Sequence, residues 1–472
     1  MPTTPLSDID LPLADVLAAT GGALRGGNPR LHFSNVAVDS RLVTPGALFV
    51  ALRGEHVDGH QFVAEALARG ARGALVERLP PPSATEGTPD SPALICVPDT
   101  YRALQDLGRY WRARISPVVV GITGSVGKTT TKEAIAEVLA QRFTVLRSEG
   151  NLNTEVGMPL MLLRARPSHQ VLVLEMGAYN AGDIRLLAEI ARPSVGVVTS
   201  VQPVHLERLG SIERIQQTKQ ELVEALPANG VAVLNADDVR VRAMATATRA
   251  RVRTFGLSPD AEVRAEGIVG RGLGGVDFTL VHGDCRLPVH LALLGRHTVY
   301  AALAAVVVGL ALGLPLEEAA AGLGHIPASV RILVRPGLSG ALIVDDTYNA
   351  SPESALAALN LLAELDGRRV AVLGDMLELG SYEEPGHRRV GSRAGEVADV
   401  LVTVGPRARW IAEEARRMSR PPATIVAAND RAEAFEQLRR ILQPGDVVLV
   451  KGSRAMQMEH LARALRGEAG GH

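Results

Sequence analysis

The sequence has 472 residues, of which 46% are hydrophobic and 21% are charged, and its formal net charge is −1. This length fits about three globular domains, and the small net charge argues against a nucleic-acid or membrane-surface partner. The first basic residue is Arg25, so no signal peptide is expected. The two cysteines, Cys96 and Cys285, fit a reducing cytoplasm rather than a disulfide framework.

Lysine is rare in this chain. Of 50 Lys and Arg residues, only four are lysines: Lys128, Lys132, Lys219 and Lys451. Arginine therefore supplies the generic surface cation. Lysine offers a compact ammonium and, after deprotonation, a free amine, which a guanidinium cannot replace. The four lysines are candidates for positions that need this chemistry, although chance remains the alternative for any single one.

Residues 1–115 are predicted to form a small α/β unit. The pattern predicts strands at 47–52, 74–77 and 93–97 and helices at 61–68 and 101–114. Residues 80–92 are rich in Pro, Ser, Thr and Gly and are predicted to be an exposed loop. Asp39-Ser40-Arg41 lies among polar turn residues and could hold a ligand, with an ordinary surface turn as the alternative.

Residues 121–133, Gly-Ile-Thr-Gly-Ser-Val-Gly-Lys-Thr-Thr-Thr-Lys-Glu, follow a β-branched strand and lead into a helix. This geometry aims backbone N–H groups and a helix N-terminus at a phosphate. Lys128 could reach the outer phosphates, and the Thr129 hydroxyl could bind Mg²⁺. The usual pattern has Gly where this chain has Ile122, so the loop is a variant, and a glycine turn without a ligand is the alternative. The predicted nucleotide-binding residues of this loop are Thr123, Gly124, Ser125, Val126, Gly127, Lys128, Thr129 and Thr130.

Residues 116–327 alternate strand and helix, which predicts a largely parallel sheet. Glu175 and His205 each follow an apolar strand, and ligands gather at the carboxyl ends of such strands. Both are candidate metal or catalytic residues, with an ordinary loop position as the alternative for His205. Lys219 lies in a predicted helix at 211–226, and only its rarity singles it out.

Two other patterns in this region are interpreted as structural. Residues 270–275, Gly-Arg-Gly-Leu-Gly-Gly, match the spacing of a dinucleotide fingerprint, but a strand follows them, so a β-hairpin turn is predicted. The uncharged stretch 299–316 is short for a membrane span and is interrupted by Gly and Pro. We interpret it as a buried helix.

Residues 328–472 are predicted to form a second, doubly wound α/β domain. Asp345-Asp-Thr-Tyr-Asn-Ala-Ser-Pro follows its first strand and Lys451-Gly-Ser-Arg follows its last, which predicts a second ligand face. The predicted strands are 341–344, 370–373, 400–404, 424–426 and 447–450.

Taken together, these segments resemble the Mur ligases, the ATP-dependent amide-forming enzymes of peptidoglycan synthesis, over essentially the whole chain. Residues 372–380, Val-Leu-Gly-Asp-Met-Leu-Glu-Leu-Gly, resemble most the branch that joins D-alanyl-D-alanine to UDP-N-acetylmuramoyl-tripeptide. No Asp-x-Pro-Arg tetrapeptide, typical of branches that add a diamino acid, occurs between Val330 and His472. The segments that carry the resemblance are 123–133, 151–159, 205–211, 235–238, 345–350, 372–380 and 451–454.

The resemblance implies an α/β protein of three domains: an N-terminal domain for the UDP-sugar substrate at 1–115, a central ATP-binding domain at 116–327 and a Rossmann-like domain at 328–472. It implies that ATP phosphorylates a carboxylate, that an amine attacks the acyl phosphate, and that ADP and phosphate are released. A monomer in the cytoplasm, without a membrane span or a nucleic-acid partner, is expected.

The resemblance also implies residue roles. Lys128, Glu175, His205 and Lys219 would be catalytic, and Thr129, Glu175, His205 and a carbamylated Lys219 would bind Mg²⁺. Arg331 and Asp346 would join the phosphate loop at ATP. The implied substrate-binding residues are Ser40, Arg41, Asn153, Tyr348 and Asn349.

Three positions depart from the family pattern. Thr298 and Ala301 stand where the family has asparagines near the adenine, and Ser351 replaces another asparagine. A nucleotide-dependent switch or motor would share the phosphate loop but not the sugar-nucleotide domain, so it is one alternative function. The nearer alternative is a neighbouring Mur ligase that adds a single diamino acid to the dipeptide precursor.

Overall fold

The computed structural model describes residues 9–54, 57–79, 91–204 and 206–468. Most of the predicted loop at 80–92, namely 80–90, lies outside the described residues, and so does His205. The described strands are β1 Leu11–Pro12, β2 Ala23–Arg25, β3 His32–Phe33, β4 Asn35–Ala37, β5 Ala47–Val50, β6 Gly73–Val76, β7 Ala93–Cys96, β8 Val118–Thr123, β9 Val145–Arg147, β10 Val171–Glu175, β11 Val195–Val198, β12 Val231–Asn235, β13 Arg251–Gly256, β14 Val263–Gly270, β15 Val276–His282, β16 Cys285–Leu291, β17 Leu333–Pro336, β18 Leu342–Asp345, β19 Arg368–Gly374, β20 Val400–Val404, β21 Thr424–Ala428 and β22 Asp446–Lys451.

The helices lie between these strands. They are α1 Leu13–Thr20, α2 Val63–Ala68, α3 Thr100–Arg114, α4 Lys128–Leu139, α5 Gly157–Leu163, α6 Asp183–Ala191, α7 Leu206–Leu209, α8 Ile212–Glu224, α9 Val239–Ala243, α10 Val299–Ala311, α11 Leu316–Leu323, α12 Pro352–Ala363, α13 Glu383–Val397, α14 Arg409–Arg416, α15 Arg431–Ile441 and α16 Met458–Leu465. The chain is thus a mixed α/β protein with mostly parallel sheets, as the sequence predicts. Within the described part of the chain, no helix combines the length and apolar character needed to span a membrane.

The chain divides into two compact units. The first comprises Met1–Gly121, Phe143–Ala178 and Gly182–Ser194, and the second comprises Ile122–Arg142, Tyr179–Ala181 and Val195–His472. The predicted boundaries after residues 115 and 327 stay predictions.

The first unit contains a five-stranded sheet in the order β2-β7-β6-β5-β4. All its pairings are parallel except β2 with β7. Alternate residues of β5 enter different cores: Leu48 and Val50 join one apolar cluster, and Ala47 and Phe49 join the other. Burial on both faces explains why this strand is a continuous apolar run. A parallel pair, β9 and β10, belongs to the same unit.

The second unit contains strands β11 to β16, of which β11 to β14 pair in parallel and β14 to β16 pair antiparallel. Residues Gly272–Gly274 form the turn between β14 and β15, so the predicted hairpin at 270–275 is confirmed. The predicted buried helix is α10, whose residues from Ala301 to Gly309 are all buried. It packs against α4, the helix that follows the phosphate loop.

A six-stranded sheet in the order β17-β18-β22-β19-β20-β21 occupies the C-terminal part of the second unit. All five predicted strands are present, and they pair in parallel. The sequence analysis missed β17, an antiparallel edge strand, because its partly exposed residues include Arg335 and Pro336 instead of an apolar run. Because β18 and β22 are parallel neighbours, Asp345 pairs in register with Val450, and the polar segments after these strands meet at one edge.

Candidate active site

The phosphate loop joins the end of β8 at Thr123 to the start of α4 at Lys128, which confirms the predicted strand, turn and helix. Two of its residues have positive φ angles, Gly124 at +149° and Gly127 at +87°. A Cβ atom on Gly124 would lie 1.9 Å from Thr199 Oγ1, so only glycine fits there. The backbone of the loop is therefore free to approach a phosphate at the N-terminus of α4.

Residues after β11 hold this loop in shape. Ser125 N donates to Ser200 O (2.8 Å), Val126 N donates to Ser200 Oγ (3.2 Å), and Thr199 Oγ1 donates to Val126 O (2.7 Å). Asn235 Nδ2 in turn donates to Thr199 O at 2.9 Å. The segment 235–238, known from the sequence only as a family marker, thus supports the loop from behind.

None of the four lysines is exposed, and their special role stays a prediction. Lys128 Nζ donates to Gly124 O at 2.8 Å, within the loop itself. Lys219, on α8, is 5% exposed. Burial, together with the nearby charge of Lys128, lowers the pKa of Lys219 from 10.5 to about 7. A substantial fraction of Lys219 is therefore a neutral amine at neutral pH.

A buried ion pair organises the second ligand face. Lys451 Nζ donates to Asp346 Oδ2 at 2.6 Å and to Asn349 O at 2.8 Å. Burial lowers the pKa of Lys451, and the Asp346 charge opposes that effect. Lys451 is 1% exposed, so a guanidinium, which is larger and planar, would not fit in its place. Lys451 therefore holds the loop after β18 to the end of β22.

Ser453 connects the segment 372–380 to the same face. Ser453 N donates to Asp375 O (3.0 Å), and Ser453 Oγ accepts from Leu377 N (2.8 Å). His387 Nε2 accepts from Met376 N at 3.0 Å. Sequence reasoning missed Ser453 and His387 as supporting residues, because their partners lie far away in the chain. Three segments identified separately in the sequence are thus bonded into one cluster.

One pocket brings the phosphate loop together with the two predicted C-terminal nucleotide residues. Val126, Gly127 and Thr130 line it with Arg331 and Asp346, and its volume is ≈ 50 Å³. Asp346 Oδ1 is buried without a hydrogen-bond partner in the described residues, and Arg331 Nε lies 3.5 Å from it. A buried carboxylate oxygen without a hydrogen bond can accept one from a ligand, such as a sugar hydroxyl of a nucleotide. Their chemistry suits a nucleotide, and the ≈ 50 Å³ space among them is large enough for only part of one.

The wall of this pocket includes the departures from the family pattern. His297 lines this wall and is exposed to solvent. The Thr298 hydroxyl donates to Gly295 O at 2.7 Å, and Ala301 is buried without a polar side chain. His297 therefore supplies polar ring atoms in this wall where Thr298 and Ala301 supply little.

A large pocket of ≈ 1080 Å³ lies in the first unit, and Ser40 and Arg41 are among its lining residues. Ser40 Oγ donates to Glu65 Oε2 at 3.3 Å, and Arg41 Nη2 lies 2.7 Å from Asp39 Oδ2. The Arg41 guanidinium lowers the pKa of Asp39 by hydrogen bonding. The predicted triad is therefore a short turn at the wall of a pocket large enough for a sugar nucleotide.

Asp58 and His60 stand on either side of Gly59 and bond to other groups of the protein. His60 Nδ1 lies 2.6 Å from Asp58 Oδ1, and His60 Nε2 accepts from Glu77 N at 2.9 Å. Both ring nitrogens are thus occupied, and Gly59 lines the pocket instead.

Asn153 and Glu175, predicted to act on substrate and metal, meet within the first unit. Asn153 Nδ2 donates to Glu175 Oε1 at 3.0 Å, and Glu175 N donates to Ser148 Oγ at 3.0 Å. The amide fixes the orientation of a buried carboxylate, which is a common arrangement behind a metal ligand.

The predicted metal ligands are only partly described. Thr129 and Lys219 belong to the second unit, Glu175 belongs to the first, and His205 lies outside the described residues. In the ranges that the structure covers, no group of three His, Cys, Asp or Glu residues is close enough to hold a metal ion. A carboxylate such as that of Glu175 is the type of ligand that Mg²⁺ prefers.

Comparison with known proteins shows the family to which this chain belongs. Three family descriptions match in order: "Mur ligase family, catalytic domain" over 32–111, "Mur ligase middle domain" over 122–309 and "Mur ligase, glutamate ligase domain" over 331–454. Together they cover more than half of the sequence. The chain belongs to the Mur ligase family and is a ligase.

Particular members are similar over most of their length. The UDP-N-acetylmuramoyl-tripeptide–D-alanyl-D-alanine ligase of Escherichia coli (strain K12) is 36% identical over 408 residues, which are 85% of this chain and 88% of the relative. The MurF crystal structure from Acinetobacter baumannii has a TM-score of 0.88 at 32% identity and covers 98% of this chain and 100% of its own. MurF ligase from Thermotoga maritima in complex with ADP has a TM-score of 0.78 at 32% identity, over 92% of this chain and 97% of its own.

The buried ion pair predicts a large stability effect. In Lys451→Met, Asp346 keeps its buried charge without the ammonium, and removing one partner of such a pair costs about 3–5 kcal/mol. We expect urea denaturation to show a loss of this size in the free energy of unfolding. The double variant Lys451→Met/Asp346→Asn should recover part of it.

The matched control is Arg439→Met, which removes a cation from an exposed pair with Glu436 on α15. An exposed pair contributes about 0–1 kcal/mol. If Lys451→Met is no more destabilised than this control, the Lys451–Asp346 pair does not organise the C-terminal face.

Proposed function

We propose that this chain is an ATP-dependent ligase that joins D-alanyl-D-alanine to UDP-N-acetylmuramoyl-tripeptide, releasing ADP and phosphate. The observation that carries the proposal is the single pocket shared by Val126, Gly127 and Thr130 of the phosphate loop with Arg331 and Asp346. The names of the relatives support the choice of substrates. The ADP complex of the Thermotoga maritima protein supports ATP as the nucleotide.

The proposed reaction begins with transfer of the γ-phosphoryl group of ATP to the terminal carboxylate of the tripeptide. Phosphoryl transfer needs positioning and charge stabilisation more than covalent chemistry. Lys128 and the N–H groups at the start of α4 provide both for the phosphates. The amine of D-alanyl-D-alanine then attacks the acyl phosphate carbon, the C–O bond to phosphate breaks, and the amine loses a proton.

The pocket of the first unit gives the acceptor a separate place to bind. We assign Ser40, Arg41 and Asn153 to the UDP-sugar peptide, and Tyr348 and Asn349 to the substrates at the C-terminal face. Asp346 Oδ1, which is buried and accepts no hydrogen bond among the described residues, is assigned to a ribose hydroxyl. A monomeric state and a cytoplasmic location stay predictions.

We also propose that Thr129 holds one Mg²⁺, and that Glu175, His205 and a carbamate on Lys219 hold another. Such ions neutralise charge between the phosphate and the carboxylate. The lowered pKa of Lys219 supports carbamylation, because CO₂ reacts with a neutral amine and not with an ammonium. Carbamylation joins the Lys219 nitrogen to the CO₂ carbon and releases a proton, so a cation becomes an anion.

A choice between two substrate pairs tests the proposed function. We expect rapid ADP release with UDP-N-acetylmuramoyl-tripeptide plus D-alanyl-D-alanine, and little with the dipeptide precursor plus lysine or diaminopimelate. D-alanyl-D-serine should be rejected only moderately, by about 10–200-fold, because small apolar differences discriminate weakly. Turnover of the second pair alone would assign the chain to the neighbouring step, and ADP release without any amine would indicate a switch or motor.

Lys128→Ala tests the phosphate loop. ADP formation should fall by about 10³-fold or more, which corresponds to about 4 kcal/mol of transition-state stabilisation. The control is Arg142→Ala, which removes a half-exposed cation paired with Glu318 beyond the other end of α4. Circular dichroism should be unchanged in both variants. Near-normal turnover in Lys128→Ala would contradict the assignment of 123–130 as the phosphate site.

The proposed carbamate on Lys219 can be tested by substitution and by NMR. Lys219→Arg keeps a cation but cannot form a carbamate, so we expect it to be inactive, and Lys219→Ala should regain part of its activity with added acetate or formate. With ¹³C-bicarbonate, the wild type should show a carbamate NMR signal that Lys219→Ala lacks. Since the pKa of Lys219 is about 7, the signal should weaken from about pH 8 to about pH 6 as the ammonium accumulates. A fully active Lys219→Arg enzyme refutes the carbamate.

A further inference from the structure

The guanidinium of Arg454 is an exposed cation at the C-terminal ligand face that the proposed function has not used. Arg454 begins the short 3-10 turn Arg454–Met456 after β22, and its side chain is 65% exposed. Within the described ranges, its guanidinium makes no hydrogen bond, and its charged contact is Glu459 Oε1 at 3.5 Å. The Arg454 Cζ atom lies 5.6 Å from the centroid of the Tyr348 ring.

The backbone beneath Arg454 is held firmly. Arg454 N donates to Asn349 Oδ1 at 3.3 Å, and Asn349 O accepts from Lys451 Nζ at 2.8 Å. Ser453 is anchored to Asp375 and Leu377 by the bonds described above. The guanidinium thus projects from a fixed turn, and the aromatic ring restricts its orientation.

Other arginines near this edge form ion pairs or hydrogen bonds within the protein. Arg466 Nη1 lies 2.7 Å from Asp345 Oδ2, and Arg431 Nη1 donates to Gln457 O at 2.8 Å. Arg407 pairs with Glu383. Arg454 differs from these because its donors remain available for a ligand.

Arg454 lies beside the nucleotide pocket but not in its wall. Arg331, which lines that pocket, also lies 5.6 Å from the Tyr348 ring centroid. The two guanidinium carbons are consequently no more than about 11 Å apart. An extended dipeptide spans about 7 Å from its amine to its carboxylate. The separation of the two guanidinium groups is therefore of the same order as the length of a dipeptide.

We propose that Arg454 binds the terminal carboxylate of the incoming D-alanyl-D-alanine and that Tyr348 orients the guanidinium for this contact. The inference rests on the proposed function. The amine of the dipeptide must be neutral to attack, so the carboxylate is the charged group by which the protein can recognise it. Arginine binds a carboxylate through two parallel N–H···O bonds, which fixes direction as well as position.

The test compares D-alanyl-D-alanine with D-alanyl-D-alaninamide, in which the carboxylate is replaced by a neutral amide. In the wild type, the amide should raise KM by about 10–100-fold, the range expected when a charge-assisted hydrogen-bonded pair is lost. Arg454→Gln should raise the KM for D-alanyl-D-alanine by a similar factor. In this variant, the KM for the amide should be no higher than the KM for the normal dipeptide. Its KM values for ATP and for the UDP-tripeptide should stay within about twofold of the wild type.

Two further variants complete the experiment. Arg454→Lys keeps a charge without the planar fork and should fall between wild type and Arg454→Gln. Arg439→Gln, an exposed arginine on α15, should behave as wild type with both dipeptides. Circular dichroism will show whether each variant is folded. If Arg454→Gln is unfolded, the KM values of Arg454→Lys are compared with those of the wild type instead.

The outcomes separate this inference from the function on which it rests. The role of Arg454 is overturned if Arg454→Gln leaves the KM for the dipeptide unchanged. It is also overturned if the amide raises KM in this variant as much as in the wild type. Either result leaves the ligase proposal intact. A rise in KM for ATP instead would assign Arg454 to the nucleotide phosphates. A wild type that releases no ADP with D-alanyl-D-alanine overturns the proposed function itself.

Discussion

A buried ammonium at the end of β22 is the interaction on which the C-terminal ligand face depends. The parallel register of β18 and β22 places Asp346 next to Lys451, and Asp346 N also donates to Val450 O at 3.0 Å. Lys451 donates to Asp346 Oδ2, and Asp346 Oδ1 lies near Arg331, which lines the phosphate-loop pocket with Asp346. The same ammonium fixes Asn349, whose side chain receives Arg454 N. One buried charge thus positions Asp346 at the phosphate-loop pocket and, through Asn349, the backbone of Arg454.

Lys219 shows the opposite use of the same residue type. Burial lowers the pKa of both lysines, but Asp346 counteracts that effect at Lys451 and keeps the ammonium paired. At Lys219, burial and the Lys128 charge both lower the pKa. A buried lysine without a compensating carboxylate is unfavourable as a cation. Its retention in a chain that otherwise prefers arginine is consistent with a role for the neutral amine.

The sequence predicts much of this organisation and misses what depends on contact between distant segments. Apolar runs identified all five parallel strands of the C-terminal sheet, and the glycine-rich turn identified the phosphate loop, because both are local patterns. The edge strand β17 lacks such a pattern. The support of Met376 by His387 and the contact of Arg454 with Tyr348 depend on packing between elements. Burial of Lys219 could be suspected only from the rarity of lysine.

The arrangement of pockets argues against a nucleotide switch or motor. Such a protein needs one nucleotide site and a segment that responds to it. Here the phosphate-loop pocket has a volume of ≈ 50 Å³, whereas the first unit carries its own pocket of ≈ 1080 Å³ beside Ser40 and Arg41. A nucleotide switch has no need of a further pocket of that size. The buried Lys219, whose pKa is lowered to about 7, also suits a ligase better than a protein that only changes conformation with its nucleotide.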